Sequence, residues 1–433
     1  MSIPAADSDS IHNEIDKSAN HNLTIGLAQT FLWGIGESTN MFYAMVPAYM
    51  LAIGSSKTLT QIMTVSFTSL TFLQLFGSWL GSGRARLKKC SLWWTMFGIV
   101  WICYGIASYF FWDSLPVHAW MVIFMANCYL ILFIMHLGVP SWTGIIVENI
   151  PKQKRGKMAG IRSLGIGGGG LLGALLIVPY LKSLPSPSNF HLGFVIGGCL
   201  FIASALSMQL FKDKAALMPN IRKSTRVFAT GKILASNFNF RVFMIFMAML
   251  VVAQNLTPMI IAYGKDAFSY QPYELAYFTF SFYLGTIALG SLLPVLADRF
   301  GFRLIAILYA FIYFLVFLLL ILFPGNRLAP FFAYGLFGGN WMIGGAVFPN
   351  LGSELAENVK PAKIVAVGAT MLMPASLVIA PLAGKMVDVY GTESYLAVFV
   401  AGVILSACAA IGFMLVLPEP RSGRELYIRI RQM

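Results

Sequence analysis

The chain consists of apolar runs of about twenty residues or more, and short polar breaks separate them. A helix needs about 20 mostly apolar residues to cross a bilayer, and an aqueous surface cannot be built from such runs. Hydrophobic residues make up 58% of the sequence and charged residues 11%, whereas a soluble domain has about 45–50% and about 25%. The sequence therefore predicts an integral membrane protein that crosses the bilayer many times.

Twelve runs are long enough, and these predicted spans are numbered here in chain order. They lie at 23–53, 60–81, 91–112, 117–147, 158–181, 190–211, 241–265, 273–297, 304–323, 328–355, 364–387 and 393–417. We expect helices, because a segment in lipid must satisfy its backbone hydrogen bonds internally. The predicted fold class is an all-α integral membrane protein.

The polar breaks divide the chain into five predicted parts. These are a tail (1–22), a six-helix bundle (23–211), a linker (212–240), a second six-helix bundle (241–417) and a second tail (418–433). Apolar and basic residues are mixed in IRKSTRVFATGKILASN (221–237). That mixture predicts an amphipathic helix on the membrane surface or, alternatively, a solvated connection.

The charges predict the orientation. Of the 30 Lys and Arg residues, 25 lie in the tails, in alternate breaks or at the adjoining span ends on one side of the twelve spans, and 5 lie on the other side. Basic residues collect in cytoplasmic loops, so both termini are expected to be cytoplasmic, in a multi-pass protein of the inner or plasma membrane. The net charge of +13 then reflects topology, and we expect the lipid bilayer rather than nucleic acid as its partner.

The two halves share short patterns. Pro140 and Glu148 are matched by Pro349 and Glu357, both at an offset of 209 residues. Such matches indicate a six-plus-six internal repeat, which is a recurring transporter architecture.

Three further segments are distinctive: PVLADRFGFR (294–303), GKMVDVYG (384–391) and LPEPR (417–421). Through them the sequence resembles the major facilitator superfamily. The first is similar to the family's loop motif, the second repeats the Gly-Asp-Gly spacing of that motif, and the third is a common ending. The resemblance implies two pseudo-symmetric six-helix bundles. Two departures stand out: GSWLGSGRARLKK (77–89) lacks the motif's Asp, and the glycine-rich span 5 lacks the Gly-Pro pair of the drug antiporters.

Glu37 is a carboxylate in the middle of apolar span 1. An ionised side chain there costs about 2.5–3.5 kcal/mol on insertion scales, so it needs a partner, a wet cavity or a proton. Gln29, Trp33 and Asn40 lie on the same helical face as Glu37 by their spacing. We predict that Glu37 binds a coupling proton and that the stripe faces inward.

The family resemblance implies that spans 1, 4, 7 and 10 line a central cavity. Span 4 supplies His136, a residue that titrates near physiological pH and is a second candidate for proton coupling. The other predicted solute contacts near mid-span are Tyr129, Gln254, Asn255, Asn340 and Trp341, besides Gln29, Trp33 and Asn40. Hydrogen bonding between neighbouring helices is the alternative role for these polar groups.

A second set of charges is expected to form a gate. The resemblance implies pairs of Glu148 with Arg86 and of Glu357 with Arg303, and it brings Asp298 to Arg162 or Arg155. Arg299 and Gly301 belong to the same loop motif. Ordinary loop charge is the alternative.

Together these features predict a secondary active transporter that moves a small organic solute by alternating access, with proton coupling and a functional monomer. The solute is open between sugar-like, amphipathic and cationic compounds. An uncoupled facilitator, a drug efflux pump and a non-transporting sensor or assembly factor are alternatives. No phosphate-binding G-x-x-x-x-G-K-[ST] motif occurs in the sequence, and no enzyme activity, cofactor or metal is expected.

Overall fold

A computed structural model describes residues 5–40, 45–56, 58–60, 62–63, 66, 70–81, 85–213, 227–270 and 274–421. Every regular element in this part of the chain is helical. Eight helical stretches are long and apolar enough to cross a membrane, and two shorter apolar helices accompany them. Parts of the predicted tails and residues 214–226 of the linker lie outside the described residues.

Helices occupy all six predicted spans of the first half. Span 1 contains Ala5–Asn40 and Met45–Ala52, and span 2 contains Leu70–Leu73 and Gln74–Leu80; spans 3 to 6 are Arg86–Phe111, Val117–Asn149, Arg155–Lys182 and Ser188–Ser207. The first helix begins well before residue 23, where we placed the start of span 1. Asn22 stabilises this extension, because its side chain exchanges two hydrogen bonds with the backbone of Lys212.

The second half follows the same plan with two interruptions. Its helices are Phe238–Leu256 and Met259–Phe268 in span 7, Leu275–Gly285 and Leu293–Phe300 in span 8, then Phe302–Leu322, Ala329–Leu355, Pro361–Tyr390 and Ser394–Leu415. Pro258 has no N–H for the helix ladder and divides span 7. Span 8 contains a π-helical turn, Thr286–Gly290.

Packing repeats between the halves. Span 3 packs on spans 4 and 6, as span 9 packs on spans 10 and 12, and span 1 packs on spans 5 and 6, as span 7 packs on spans 11 and 12. The halves meet where span 5 contacts span 8 and where span 2 contacts span 11. In the described residues these contacts define two helical bundles that pack in the same pattern.

Span 5 carries two rows of glycine, one facing each bundle. A Cβ at Gly165 or Gly169 would overlap backbone atoms of span 1, whereas a Cβ at Gly156, Gly160 or Gly167 would overlap span 8. Small residues let membrane helices approach closely. Span 5 therefore packs closely on span 1 of its own bundle through the first row of glycines. It packs closely on span 8 of the other bundle through the second row.

The linker contains a short helix, Val227–Ser236. Its Leu234 is buried and its Ile233 is 44% exposed, and it packs on the helices of spans 7 and 11. A helix therefore exists in the second part of the predicted amphipathic stretch. Ile221, Arg222, Lys223 and Arg226 lie outside the described residues.

Candidate transport site and gate

Glu37 lies near the end of the first helix and is partly exposed. Its carboxylate is hydrogen-bonded to the side chain of Trp33, one turn earlier. The Trp33 ring packs on Trp94 and Phe201, with ring centroids 4.9 and 4.5 Å away. This aromatic packing fixes the position of the Trp33 side chain, which is the hydrogen-bond partner of the Glu37 carboxylate.

The second bundle approaches the same level through Tyr283 of span 8. The Tyr283 ring covers Gly170 of span 5, where a Cβ would overlap it. Among the described residues its hydroxyl has no hydrogen-bond partner, and it lies within electrostatic range of the Glu37 carboxylate. Glu37 therefore lies close to the surface where the two bundles meet.

Gln29 and Asn40 lie on the predicted face of span 1, but both contact span 6. The Gln29 amide donates to Ser204 Oγ at 2.9 Å, and Ser204 donates back to the Gln29 carbonyl at 2.8 Å. The Asn40 amide lies 3.4 Å from the carbonyl oxygen of Phe194. At these two positions the stripe faces the interior of the first bundle, not the space between the bundles as expected.

The polar groups of span 4 contact span 2. His136 is buried, and its Nδ1 lies 3.2 Å from the amide of Gln74. The Tyr129 hydroxyl accepts a hydrogen bond from Ser66 at 3.0 Å. Span 1, which carries Glu37, packs chiefly on spans 5 and 6, so these contacts do not join His136 to Glu37.

The polar groups of spans 7 and 10 converge on span 9. The Gln254 carbonyl oxygen accepts from the hydroxyls of Tyr309 and Tyr313 at 3.4 and 3.3 Å. The Asn340 amide donates to the backbone carbonyl of Tyr309 at 2.9 Å. Asn255 is buried and Trp341 is partly buried. Gln254 and Asn340 therefore have partners inside the second bundle, as the alternative of interhelical hydrogen bonding requires.

The basic end is the end of the helices at which Arg86, Lys152, Arg303 and Arg421 lie. There Arg86 binds Glu148, as expected, and it also binds Asp213 through two bonds of 2.7 and 2.6 Å. A fork of guanidinium N–H groups matches a carboxylate in this way. These bonds connect the start of span 3 to the end of span 4 and to the beginning of the linker.

Asp298 joins the two bundles at this end. Its carboxylate accepts from the backbone N–H groups of Gly156 and Lys157 at 2.7 Å each. The expected partners differ: Arg155 donates instead to the carbonyls of Val147 and Ile150, and no described ion pair includes Arg162. Asp298 thus caps the start of the span 5 helix, where anions are favoured.

Arg303 does not pair with Glu357. Its guanidinium donates to the carbonyls of Phe413 and Met414 at the end of span 12. Gly301 turns the chain before it with a φ of +83°, and the exposed Arg299 lies over the Phe300 ring. Glu357 forms an ion pair of 2.9 Å with Lys152, which crosses between the bundles.

The segment after span 12 supplies a contact that the sequence did not predict, which we call the tail clasp: Glu419 and Arg421. Arg421 donates to the buried Glu354 carboxylate at 2.9 and 2.6 Å, to the carbonyl of Ala297, and to the carbonyl of Lys152 in the other bundle. Glu419 accepts from the backbone N–H groups of Arg303 and Arg421. The clasp thus joins spans 8, 9 and 10 to the first bundle.

The family model of the Major Facilitator Superfamily matches residues 26–373, which is most of the chain. The chain belongs to this superfamily. Among curated protein sequences none matches it. The predicted fold class and family are confirmed.

Solved transporters of the superfamily share the fold over nearly the whole chain. The E. coli fucose:proton symporter FucP is 13% identical, with 90% of this chain and 97% of that one covered and a TM-score of 0.61. The human organic anion transporter MFSD10 is 15% identical, with 91% and 99% covered and a TM-score of 0.62. The nucleoside transporter NupG is 15% identical, with 91% and 98% covered and a TM-score of 0.57.

Two adjoining cavities lie at the basic end. One has a volume of about 400 Å³ beside Ile233 and Asn237, and the other has about 270 Å³ beside Lys152 and Arg421. Both include Glu354 and Glu357 in their walls. Both cavities therefore lie beside the partners of the tail clasp.

A buried polar cluster at the opposite end was also missed. The Tyr49 hydroxyl lies 2.9 Å from the Tyr104 hydroxyl and 3.1 Å from His191 Nε2. Tyr49, Tyr104 and His191 are far apart in the sequence and share no motif, so the sequence gives no signal for the cluster. It ties spans 1, 3 and 6 together.

Proposed function

We propose that the protein is a secondary active transporter that moves a small organic solute by alternating access and couples this movement to protons through Glu37. Glu37 carries the proposal: an acidic side chain lies in the middle of a span, partly exposed and next to the surface where the bundles meet. Intramembrane carboxylates are expensive and are usually functional.

The contacts favour Glu37 over His136 as the coupling group, because the described contact of His136 is with Gln74 of span 2. They also rank the proposed solute ligands. Trp33 and Trp341 are only partly buried, whereas Gln29, Asn40, Gln254 and Asn340 are already hydrogen-bonded inside their bundles. Solute binding by these amides would need rearrangement.

We propose that the basic end is cytoplasmic, with both termini inside, in the inner or plasma membrane. Three connections between the bundles would then form the cytoplasmic gate: Asp298 at the span 5 helix, Lys152 with Glu357, and the tail clasp. FucP, MFSD10 and NupG are named as transporters of fucose, organic anions and nucleosides. Small organic solutes of these kinds are the first to test.

The test uses purified protein in proteoliposomes that contain a pH indicator. A panel of sugars, nucleosides, organic anions and organic cations is added, and proton movement is compared between the wild type and Glu37→Gln. We expect a solute-dependent pH change that Glu37→Gln abolishes. Glu393→Gln, an exposed carboxylate at the opposite end, is the matched control.

Undiminished proton movement in Glu37→Gln would refute the coupling role. Solute uptake without proton movement in the wild type would indicate the uncoupled facilitator, with Glu37 as a solute ligand. Uptake of no compound in the panel would favour the sensor or assembly factor.

A further inference from the structure

Tyr283 is a buried polar group that the proposed mechanism does not yet use. Its side chain is completely buried, and its hydroxyl has no hydrogen-bond partner in the part of the chain that the structure describes. Buried hydroxyls are nearly always paired, and an unpaired one requires an explanation. A partner that is reached in another arrangement of the protein is one such explanation.

The surroundings of Tyr283 point to that partner. Its ring lies on Gly170 of span 5, and a Cβ at Gly34 of span 1 would lie 2.9 Å from the Gly170 backbone nitrogen. Glu37 follows Gly34 by one helical turn. The contact between Gly34 and Gly170 therefore brings Glu37 of span 1 and Tyr283 of span 8 to a similar depth along the helices. The two side chains lie within electrostatic range of each other.

The two residues belong to different bundles. Tyr283 is held by the second bundle, because Gly285 lies directly against Gly335 of span 10 and Thr286 donates to the carbonyl of Gly338 at 3.1 Å. The π turn Thr286–Gly290 begins three residues after Tyr283, and such turns are frequent at functional sites. Movement of one bundle against the other therefore changes the separation of Tyr283 from Glu37.

We propose that the Tyr283 hydroxyl donates a hydrogen bond to the ionised Glu37 carboxylate in a second arrangement of the bundles, and so links release of the proton to that arrangement. An ionised carboxylate only accepts hydrogen bonds, and a phenol can donate one. The present structure shows the arrangement without this bond. Tyr283 is thus a positioning residue that acts through Glu37, and its role rests on the proposed function.

The titratable groups on the adjacent helices are few in the described residues. Arg162 of span 5 lies near Gly26, eleven residues before Glu37, which is about 16 Å along a helix. His191 and Cys199 belong to span 6, and Tyr334 of span 10 interacts electrostatically with Tyr283. Among these groups, Tyr283 is the one that belongs to the second bundle and lies at the same depth along the helices as Glu37.

The test follows proton binding without any solute. Trp33 is hydrogen-bonded to Glu37, so its fluorescence should change when Glu37 binds a proton, and the change should be absent in Glu37→Gln. In Tyr283→Phe the midpoint of this titration should rise by about one pH unit, which is tenfold tighter proton binding. Tyr277→Phe removes an exposed hydroxyl from the same helix and should leave the midpoint in place.

An unchanged midpoint in Tyr283→Phe would overturn the inference, and so would an effect of Tyr283→Phe that persists in the Glu37→Gln background. A wild-type signal that Glu37→Gln does not alter would instead refute the proposed function. Tyr283→Phe removes a hydroxyl that has no partner here, so its thermal unfolding should match the wild type. If it does not fold, Gly170→Ala, which displaces the same ring, must move the midpoint; an unmoved midpoint overturns the inference.

Discussion

Gly156→Ala should open the basic end of the transporter while its bundles stay folded. The new Cβ would overlap the carbonyl oxygen of Pro294 and lie 2.8 Å from Asp298 Oδ1, where ordinary contacts begin at 3.4 Å. The Pro294 oxygen would lie 2.2 Å from the new Cβ, so the bundles must part by about 1.2 Å to restore an ordinary contact. The two Asp298 hydrogen bonds of 2.7 Å would then lengthen beyond the usual 2.7–3.2 Å range.

Loss of two such bonds corresponds to about 2 kcal/mol, or roughly a thirtyfold shift toward the arrangement that is open at this end. Gly156 lies inside the helix Arg155–Lys182, and alanine favours a helix over glycine by about 1 kcal/mol. That gain is the same in both arrangements. The variant should thus fold at least as well as the wild type.

Pulsed electron paramagnetic resonance can measure the distance between two spin labels at the basic end. The labels are attached at two exposed positions, Lys88→Cys and Asn358→Cys. The exposed cysteines Cys103, Cys199 and Cys408 are first replaced. Gly168→Ala is the matched control, because a Cβ there has its nearest neighbour at 3.8 Å. We expect longer label distances in Gly156→Ala alone. Identical distance distributions in the two variants would refute the reasoning.

Three further predictions follow from the same contacts. Arg421→Ala removes the cation that binds the Glu354 carboxylate, whose side chain is 2% exposed. The free energy of unfolding should fall by about 3 kcal/mol. A loss below about 1 kcal/mol in thermal unfolding would contradict this. Asp298→Ala removes the acceptor of the Gly156 and Lys157 N–H groups and should lengthen the label distances as Gly156→Ala does. Distances that stay those of the wild type would contradict this. Gln254→Leu removes one acceptor that two tyrosine hydroxyls share and should lower the unfolding free energy by about 1–3 kcal/mol, with solute affinity retained. Lost affinity at unchanged stability would identify a solute ligand instead.

The sequence predicted the helices well because the length of an apolar run is itself the physical requirement for a span. It did not predict where the first helix begins. The helix extends to Ala5 through polar residues, and one support is the contact of Asn22 with Lys212, 190 residues away. A hydropathy argument detects the lipid-facing part of a helix and not a polar extension that tertiary contacts hold.

The site was predicted less completely. Helical spacing shows that Gln29 and Glu37 share a face, but it cannot show which neighbour that face meets, and Gln29 proved to meet Ser204. At the gate, the pair of Arg86 with Glu148 was present, while its counterpart in the second half was replaced by contacts of Arg303 with backbone carbonyls. Backbone groups carry no sequence signature, so a motif cannot reveal them as partners.

The position of the tail clasp has a practical consequence. Glu419 and Arg421 follow the last helix, Ser394–Leu415. A protein truncated after residue 416 would keep every helix of both bundles and would lose the tether between Arg421 and Lys152. A fluorescent reporter joined at that point would therefore glow in the membrane, although the protein beneath it had lost that tether and the cation that stabilises the buried Glu354 carboxylate.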